Sequence, residues 1–439
     1  MRALRWLVVF VFCGTWTVPE AQARDWYVSV ARGKGKSGTK EKPAKDLGNI
    51  ISKLAPGDVV HIAEGVYAGR GESGSNTITV PVSVIGGYAD DFSARDPWGK
   101  HRTILGGNNL SKNYTPEPAL FIDLLKFTGP AVPITVDGLI VDHGYRNRYD
   151  DPQQAKLIPK ADPAQGKNPS PSLGALVVRV SKSDKFDRGP RWKVRVQNCV
   201  VINAYQNQGA LSVSGYKGSK ILIRNNIVAQ TSGAGIFVGS KFHGSDPKEF
   251  AQFRVEHNTV LFSWDSGFSQ GYNISFDTAV NAEVKNNLFG FSDIIAINNA
   301  RNTKNLLLKD NLVTGARQAD YIEGSMTMDV ENMVDEADLL HDDSDGNVSG
   351  KIGVPVSKDF ALLYGSRVVV DRAKAEAGIK ATNSDANTLR AMLGLPTQAG
   401  AVKWPQTPVF INRISVDDAL AAGSTKYGGK YGSLQSLIK

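Results

Sequence analysis

Val194-Arg-Val-Gln-Asn-Cys-Val200, Ile221-Leu-Ile-Arg-Asn-Asn-Ile227, Phe253-Arg-Val-Glu-His-Asn-Thr259, Ala282-Glu-Val-Lys-Asn-Asn-Leu288 and Leu306-Leu-Leu-Lys-Asp-Asn-Leu312 are five copies of one pattern. Aligned, they put Cys199, Asn226, Asn258, Asn287 and Asn311 in a single column. Ahead of that column most copies alternate apolar with polar side chains, the period of a strand and not of a helix. Each copy also follows a second alternating, Gly-flanked segment: Ala175 to Val180, Ala210 to Ser214, Gly235 to Gly239, Asn273 to Asp277 and Ile294 to Asn298. Successive Asn residues lie 32, 29 and 24 positions apart, a repeat whose loops vary while its strands do not. Stacked coils of short parallel strands absorb such drift in their turns and bury one continuous apolar column. Stacked Asn amides bond coil to coil, which satisfies a polar side chain inside a turn.

The N-terminal residues extend the pattern. Tyr27-Val-Ser29, Gly38-Thr39, Pro43, Pro56-Gly57-Asp58 and Gly65-Val-Tyr67 read as a first strand, a short capping helix over about Lys45 to Leu54, a turn and a first coil. Gly86-Gly-Tyr88, Asp91-Phe92, Arg95-Asp-Pro97 and Thr103-Ile-Leu-Gly106 follow in the same style. With the Asn column, these motifs resemble the right-handed parallel β-helix (pectate-lyase-like) superfamily. The expectation is an all-β solenoid with a short N-terminal capping helix and a partly helical C-terminal cap. Residues 1–23 read as a signal peptide, with Arg2 and Arg5, an apolar run from Trp6 to Phe12 and Ala21-Gln-Ala23. Residues 24–354 are the solenoid, of which 24–110 form the cap and first coils and 142–173 a long inserted loop. Residues 355–439 leave the repeat, and their stretches from Val370 and Asp385 read as helical.

Charge and cysteine content bound the function. The chain carries +8, and +7 without Arg2, Arg5 and Glu20. Lys182, Lys185, Arg188, Arg191, Lys193 and Arg195 concentrate the excess, while Asp329 to Asp345 holds eight acids and no Lys or Arg. A cationic middle in an exported protein without a nucleic-acid motif points to an acidic polysaccharide as partner. Past the leader the one cysteine is Cys199; it has no disulfide partner and stands in the Asn column as a small core residue. No segment reads as membrane-spanning, so the expected location is secreted or periplasmic. Asp343-Ser-Asp345-Gly346 resembles part of an EF-hand loop, but His341 and Ile352 occupy its first and last positions, so no calcium or other cofactor is called for.

What the resemblance implies about the site is a groove on the sheet of the Gly-flanked strands. Alternation puts Leu211, Val213, Ile236, Val238, Ile274, Phe276, Ile295 and Ile297 inside, and sets Arg179, Ser214, Gly239, Asp277 and Asn298 in an outward column beside Val177, Ser212, Phe237, Ser275 and Ala296. The inserted loop adds His143, Tyr145, Arg146, Arg148 and Tyr149, and a second loop adds Trp264 and Asp265. For elimination or epimerisation of an acidic sugar, Arg179 or Arg146 neutralises the carboxylate, His143 takes the C5 proton and Tyr145 protonates the departing oxygen. Hydrolysis needs two facing carboxylates, for which Asp265 and Asp277 are the pair. Arg148, Tyr149, Lys182, Arg188, Arg191, Trp192, Phe237, Trp264 and Asn298 complete the expected binding surface through stacking and charge. The paired-acid motifs of pectin-hydrolysing β-helices, multi-aspartate calcium clusters and the Asp-Pro-His-Asp motif are missing. A non-catalytic glycan-binding or matrix scaffold therefore stands beside the lyase- or epimerase-like enzyme.

Overall fold

The computed structural model describes residues 23–69, 74–106, 117–142, 174–182, 191–202, 204, 206, 208–264, 271–292, 294–304, 306–316, 318–350 and 430–433, with main chain alone at Gln230, Ser232 and Trp264. Among them the chain is all-β, with three sheets of nine strands each and almost no helix. Strands visit the sheets in rotation. Ile134–Asp137 lies in sheet A, Leu139–Asp142 in sheet B and Leu176–Arg179 in sheet C, and Lys193–Gln197 returns to sheet A beside Ile134–Asp137. Neighbouring strands pair in parallel throughout, apart from Ala319–Glu323 with Met326–Met328, which closes sheet C antiparallel. The result is a solenoid whose inward columns, such as Leu120, Leu176, Leu211, Ile236, Ile274 and Ile297, are in register and fully buried. Dispersion along such columns joins all coils into one core.

From Gly138 onward a single turn type carries the chain from sheet A to sheet B. Its first residue sits in the left-handed region in seven successive coils: Gly138, Asn198, Asn225, His257, Asn286, Asp310 and Gly346, with φ between 52° and 68°. Asn and Asp tolerate this conformation better than other residues with a Cβ, which explains their recurrence. The next residue turns inward. Asn226, Asn258, Asn287 and Asn311 are fully buried, and the Oδ1 of each accepts from the backbone N of the column residue one coil earlier, at 2.9–3.0 Å. The Nδ2 of Asn226, Asn258 and Asn287 donates to the Oδ1 of the following Asn, at 2.9–3.0 Å, and also to a strand carbonyl of the preceding coil, Val196, Ile223 and Val255 respectively. The ladder begins at Cys199, whose backbone N donates to Asn226 Oδ1, and runs one coil beyond the sequence repeat. Asn347 Oδ1 accepts Asn311 Nδ2 at 2.8 Å. Asp345 and Gly346, part of the Asp343-Ser-Asp345-Gly346 segment that resembles an EF-hand loop, thus form with Asn347 the last turn of the ladder among the described residues.

The expected N-terminal capping helix needs correction. The segment from Lys45 to Leu54 is not one helix but two 3-10 turns, Leu47–Asn49 and Ile51–Lys53. Asp46 caps the first through Gly48 N, and Gly48 with the β-branched pair Ile50-Ile51 disfavours a longer α-helix. Leu47 and Ile50 still join the core cluster that contains Trp26. Trp26 is anchored by Asp58, whose carboxylate accepts from Trp26 Nε1 at 2.7 Å, Arg24 N at 2.9 Å and Ala55 N at 2.8 Å. At the other end the helical readings from Val370 and Asp385, like the signal peptide, lie outside the described residues. Of that tail, 430–433 docks on the ladder turns: Gly432 N donates to Asn286 O, and Ser433 N to Thr259 Oγ1.

Asn258→Ala removes both the acceptor for Asn226 and the donor to Asn287, and each buried group left unpaired costs about 1–3 kcal/mol. The urea midpoint should fall accordingly, and Asn258→Asp should not restore it, since a carboxylate cannot donate to Asn287. Burial pushes the Cys199 thiol up from 9.0 to about 12. Being raised in the native state, this group stabilises the fold fully below pH 9 and loses that contribution as the pH rises toward about 12. Stability measured across this alkaline window should decline less steeply in Cys199→Ala.

Candidate functional site

Parity decides which side chains meet solvent. In Lys193–Gln197 the residues Val194 and Val196 face the core, so Lys193, Arg195 and Gln197 face out. Register then stacks these into columns along sheet A: Lys193 beside Lys220, Gln252 and Asn281, and Thr135 beside Arg195, Leu222, Arg254, Glu283 and Leu307. The two columns floor an open trough of about 900 Å³ that crosses six strands of sheet A. At neighbouring strands separated by about 4.8 Å, its length is about 24 Å.

Charge is distributed unevenly along this floor. Toward the C-terminal coils the cations are matched: Arg254 Nη2 reaches Glu256 Oε2 at 2.6 Å, Lys285 pairs with Glu283, and Lys309 Nζ lies 2.9 Å from Asp345 Oδ1. Lys193, Arg195 and Lys220 are exposed and form no ion pair among the described residues. Lys193 and Lys220 are direct register partners, and Arg195 stands two residues further along the same strand. Three like charges this close repel one another, so an anion laid across them relieves an existing cost as well as adding attraction.

The sheet expected to carry the site is differently occupied. Arg179 is outward in sheet C as alternation requires, but its Nε and Nη2 grip Asp123 at 3.1 and 2.8 Å, and its guanidinium lies 4.9 Å from the centre of the Phe121 ring. Asp277 accepts from Arg301 Nη1 at 2.6 Å. Both ionisable members of the expected column thus already hold a partner of opposite charge. Asn298 shifts column: it pairs in register with Ser275, which aligns with Phe237, Ser212 and Val177, and its Nδ2 donates to Ser275 Oγ at 3.0 Å. Ala296 is fully buried in the core and not part of the outward face. Phe237 remains half-buried on that face.

Trp192 also requires correction. It is 2% exposed, its ring packs 6.1 Å from Phe127, and Nε1 donates to Ser181 O at 2.7 Å. Sharing the parity of Val194, it is a core residue, and no sugar can stack on it. That bond ties together the chain on either side of 183–190, where Lys182 and Arg191 are both exposed. His143, Tyr145, Arg146, Arg148, Tyr149, Arg188 and Asp265 lie outside the described residues, as does the side chain of Trp264. Among the described residues no three His, Cys, Asp or Glu side chains converge to hold a metal ion, and no helix is long and apolar enough to cross a membrane. Lys220 and its neighbours escape a motif search because what unites them is register between coils. Their signal in the sequence is the polar half of each alternating strand.

No family model matches the chain, and no curated protein matches it either.

Trp192→Ala should cost about 3–5 kcal/mol through the cavity it leaves, read as a lower denaturation midpoint. Ligand affinity per folded molecule should stay unchanged, which separates its packing role from a binding role.

Proposed function

We propose that the chain is an exported right-handed parallel β-helix of the pectate-lyase-like kind that binds an acidic polysaccharide along the outer face of sheet A. The observation that carries this reading is the group Lys193, Arg195 and Lys220, outward, adjacent in register and without carboxylate partners among the described residues, on the floor of an elongated open trough. A groove of this length matches a linear chain better than a small molecule. Gln252 supplies an amide for sugar hydroxyls further along, and Leu222 and Leu307 supply apolar floor for ring faces. The charges are exposed, so their contribution is screened by salt and acts chiefly on encounter and selectivity. A purely binding, non-catalytic role is favoured by the pairing of Arg179 with Asp123 and of Asp277 with Arg301.

Binding of polygalacturonate or alginate should weaken steeply as sodium chloride rises, whereas a neutral glucan should bind poorly at any salt. Lys193→Glu with Lys220→Glu should lower uronan affinity at least tenfold in a titration at low ionic strength while leaving the unfolding midpoint close to wild type, since surface changes of this kind cost little. Equal affinity for neutral glucan, or an unaltered constant in the double variant, removes the trough as the binding surface.

A further inference from the structure

The outer face of sheet B is unlike that of sheet A. Val201, Val228, Val260, Phe289 and Val313 belong to the main core, so the residues just before them, Val200, Ile227, Thr259, Leu288 and Leu312, face away from it. Register stacks these five into one column across successive strands. On sheet A the outward Lys193 and Lys220 are exposed. On sheet B, Val200 is 4% exposed and the other four are 2% or less. A row of apolar side chains is not dry on an open face, so another part of the chain lies against it.

Two described segments border this column. On its N-terminal side, Trp98 Nε1 donates to Asn198 O at 2.9 Å. On its C-terminal side, Lys430 Nζ lies 2.8 Å from Asp310 Oδ1, Gly432 N donates to Asn286 O at 2.8 Å, and Ser433 N donates to Thr259 Oγ1 at 2.9 Å. Trp98 and Gly432 thus use the same acceptor, the carbonyl of the left-handed turn residue, three coils apart. Tyr431 is 6% exposed and Ser433 1%. Glycine is required between them: Gly432 has φ 80°, and a Cβ there would stand 2.6 Å from Thr259 Oγ1 and 3.2 Å from Leu288 Cβ. The order of these contacts gives the segment a direction. Residue 430 meets the coil of Asp310, residue 432 that of Asn286 and residue 433 that of Thr259, so the chain crosses the strands toward the N-terminal coils and heads for Ile227 and Val200.

We propose that Ile227 and Val200, on the outer face of sheet B, form the docking surface for this chain's own residues Leu434-Gln-Ser-Leu-Ile-Lys439, which follow Ser433 and lie outside the described residues. Thr259 and Val200 are two strand spacings apart, about 10 Å. Four extended residues counted from Leu434 reach about 13 Å, enough to cross Ile227 and Val200 and arrive at the turn that Trp98 borders. Composition agrees with the surface, since Leu434, Leu437 and Ile438 are apolar. Docking within one chain needs no second molecule, and Lys430, Gly432 and Ser433 have already fixed the segment's start on the neighbouring coils. Left open, the same strip would be available to its counterpart on a second copy, an isologous contact that the docked segment pre-empts.

The test uses the full chain carrying Ile227→Cys paired in turn with Leu434→Cys, Gln435→Cys and Ser436→Cys, oxidised mildly, with the disulfides located by mass spectrometry. Cys199 is fully buried and stays out of the reaction. At least one of the three pairs should close within a single chain, whereas Lys193→Cys on sheet A should close with none of them. Adding Lys430→Glu, which sets a carboxylate against Asp310, should lower the yield of that disulfide several-fold, and Gly432→Val should do the same through its clash with Thr259. Lys430 is exposed, so the first of these variants keeps the fold, as circular dichroism would verify. No disulfide at any of the three positions overturns the proposal, as does a yield that neither Lys430→Glu nor Gly432→Val changes. Disulfides that join two chains overturn it as well, because the occupant is then a second copy.

Discussion

The amide ladder between sheets A and B is the interaction on which the rest depends. Its bonds run from backbone N and side-chain Nδ2 of one turn to the Oδ1 of the next, in a fully buried column. A dry polar group without a partner is expensive, so a coil displaced by even one residue leaves two or more such groups unmet. Register is thereby fixed at one corner of each coil from Cys199 to Asn347, and the parity of the strands on both sides follows from it. Loops at the other corners vary in length without consequence for that register.

Register in turn creates surface chemistry. Lys193 and Lys220 lie 27 positions apart in the chain and become neighbours only because Asn226 bonds the turn at Cys199. The same stacking places Glu256 between Arg224 and Arg254, and Glu283 against Lys285, so one stretch of the face is neutralised while another is left cationic. A gradient of this kind orients a linear polyanion along the solenoid, since only one end of the trough rewards negative charge.

Much of this was legible in the sequence, and the failures have physical causes. The Asn column, the inward residues Leu211, Val213, Ile236, Val238, Ile274 and Phe276 and the parallel strands follow from a two-residue period recurring at solenoid spacing, whereas Ile295 packs with Ile294 and Ala319 apart from the main core. Asn347 was missed because no apolar strand precedes it; its surroundings are acidic and read as a loop. Asn298 was set one step off because alternation fixes a face but not an offset, and the doublet Ile294-Ile295 near the start of its strand allows two alignments. Trp192 is placed by sequence on the binding surface as an aromatic ring, although its shared parity with Val194 and Val196 points it inward. The pairing of Arg179 with Asp123 was invisible, since their contact joins coils 56 residues apart.

The ladder also has a direction. Every carboxamide oxygen serves the coil before it, so each turn is completed by residues synthesised later. A chain growing from its N-terminus therefore always carries one open turn at its leading end, with a backbone donor and an amide awaiting the next Asn. Folding proceeds like a zip, and Asn347, half-buried, is the last Asn of the ladder among the described residues. A nascent or truncated chain that stops at Asn258 or Asn287 would leave that open turn at a dry position, which makes the order of synthesis itself part of what keeps incomplete coils from persisting.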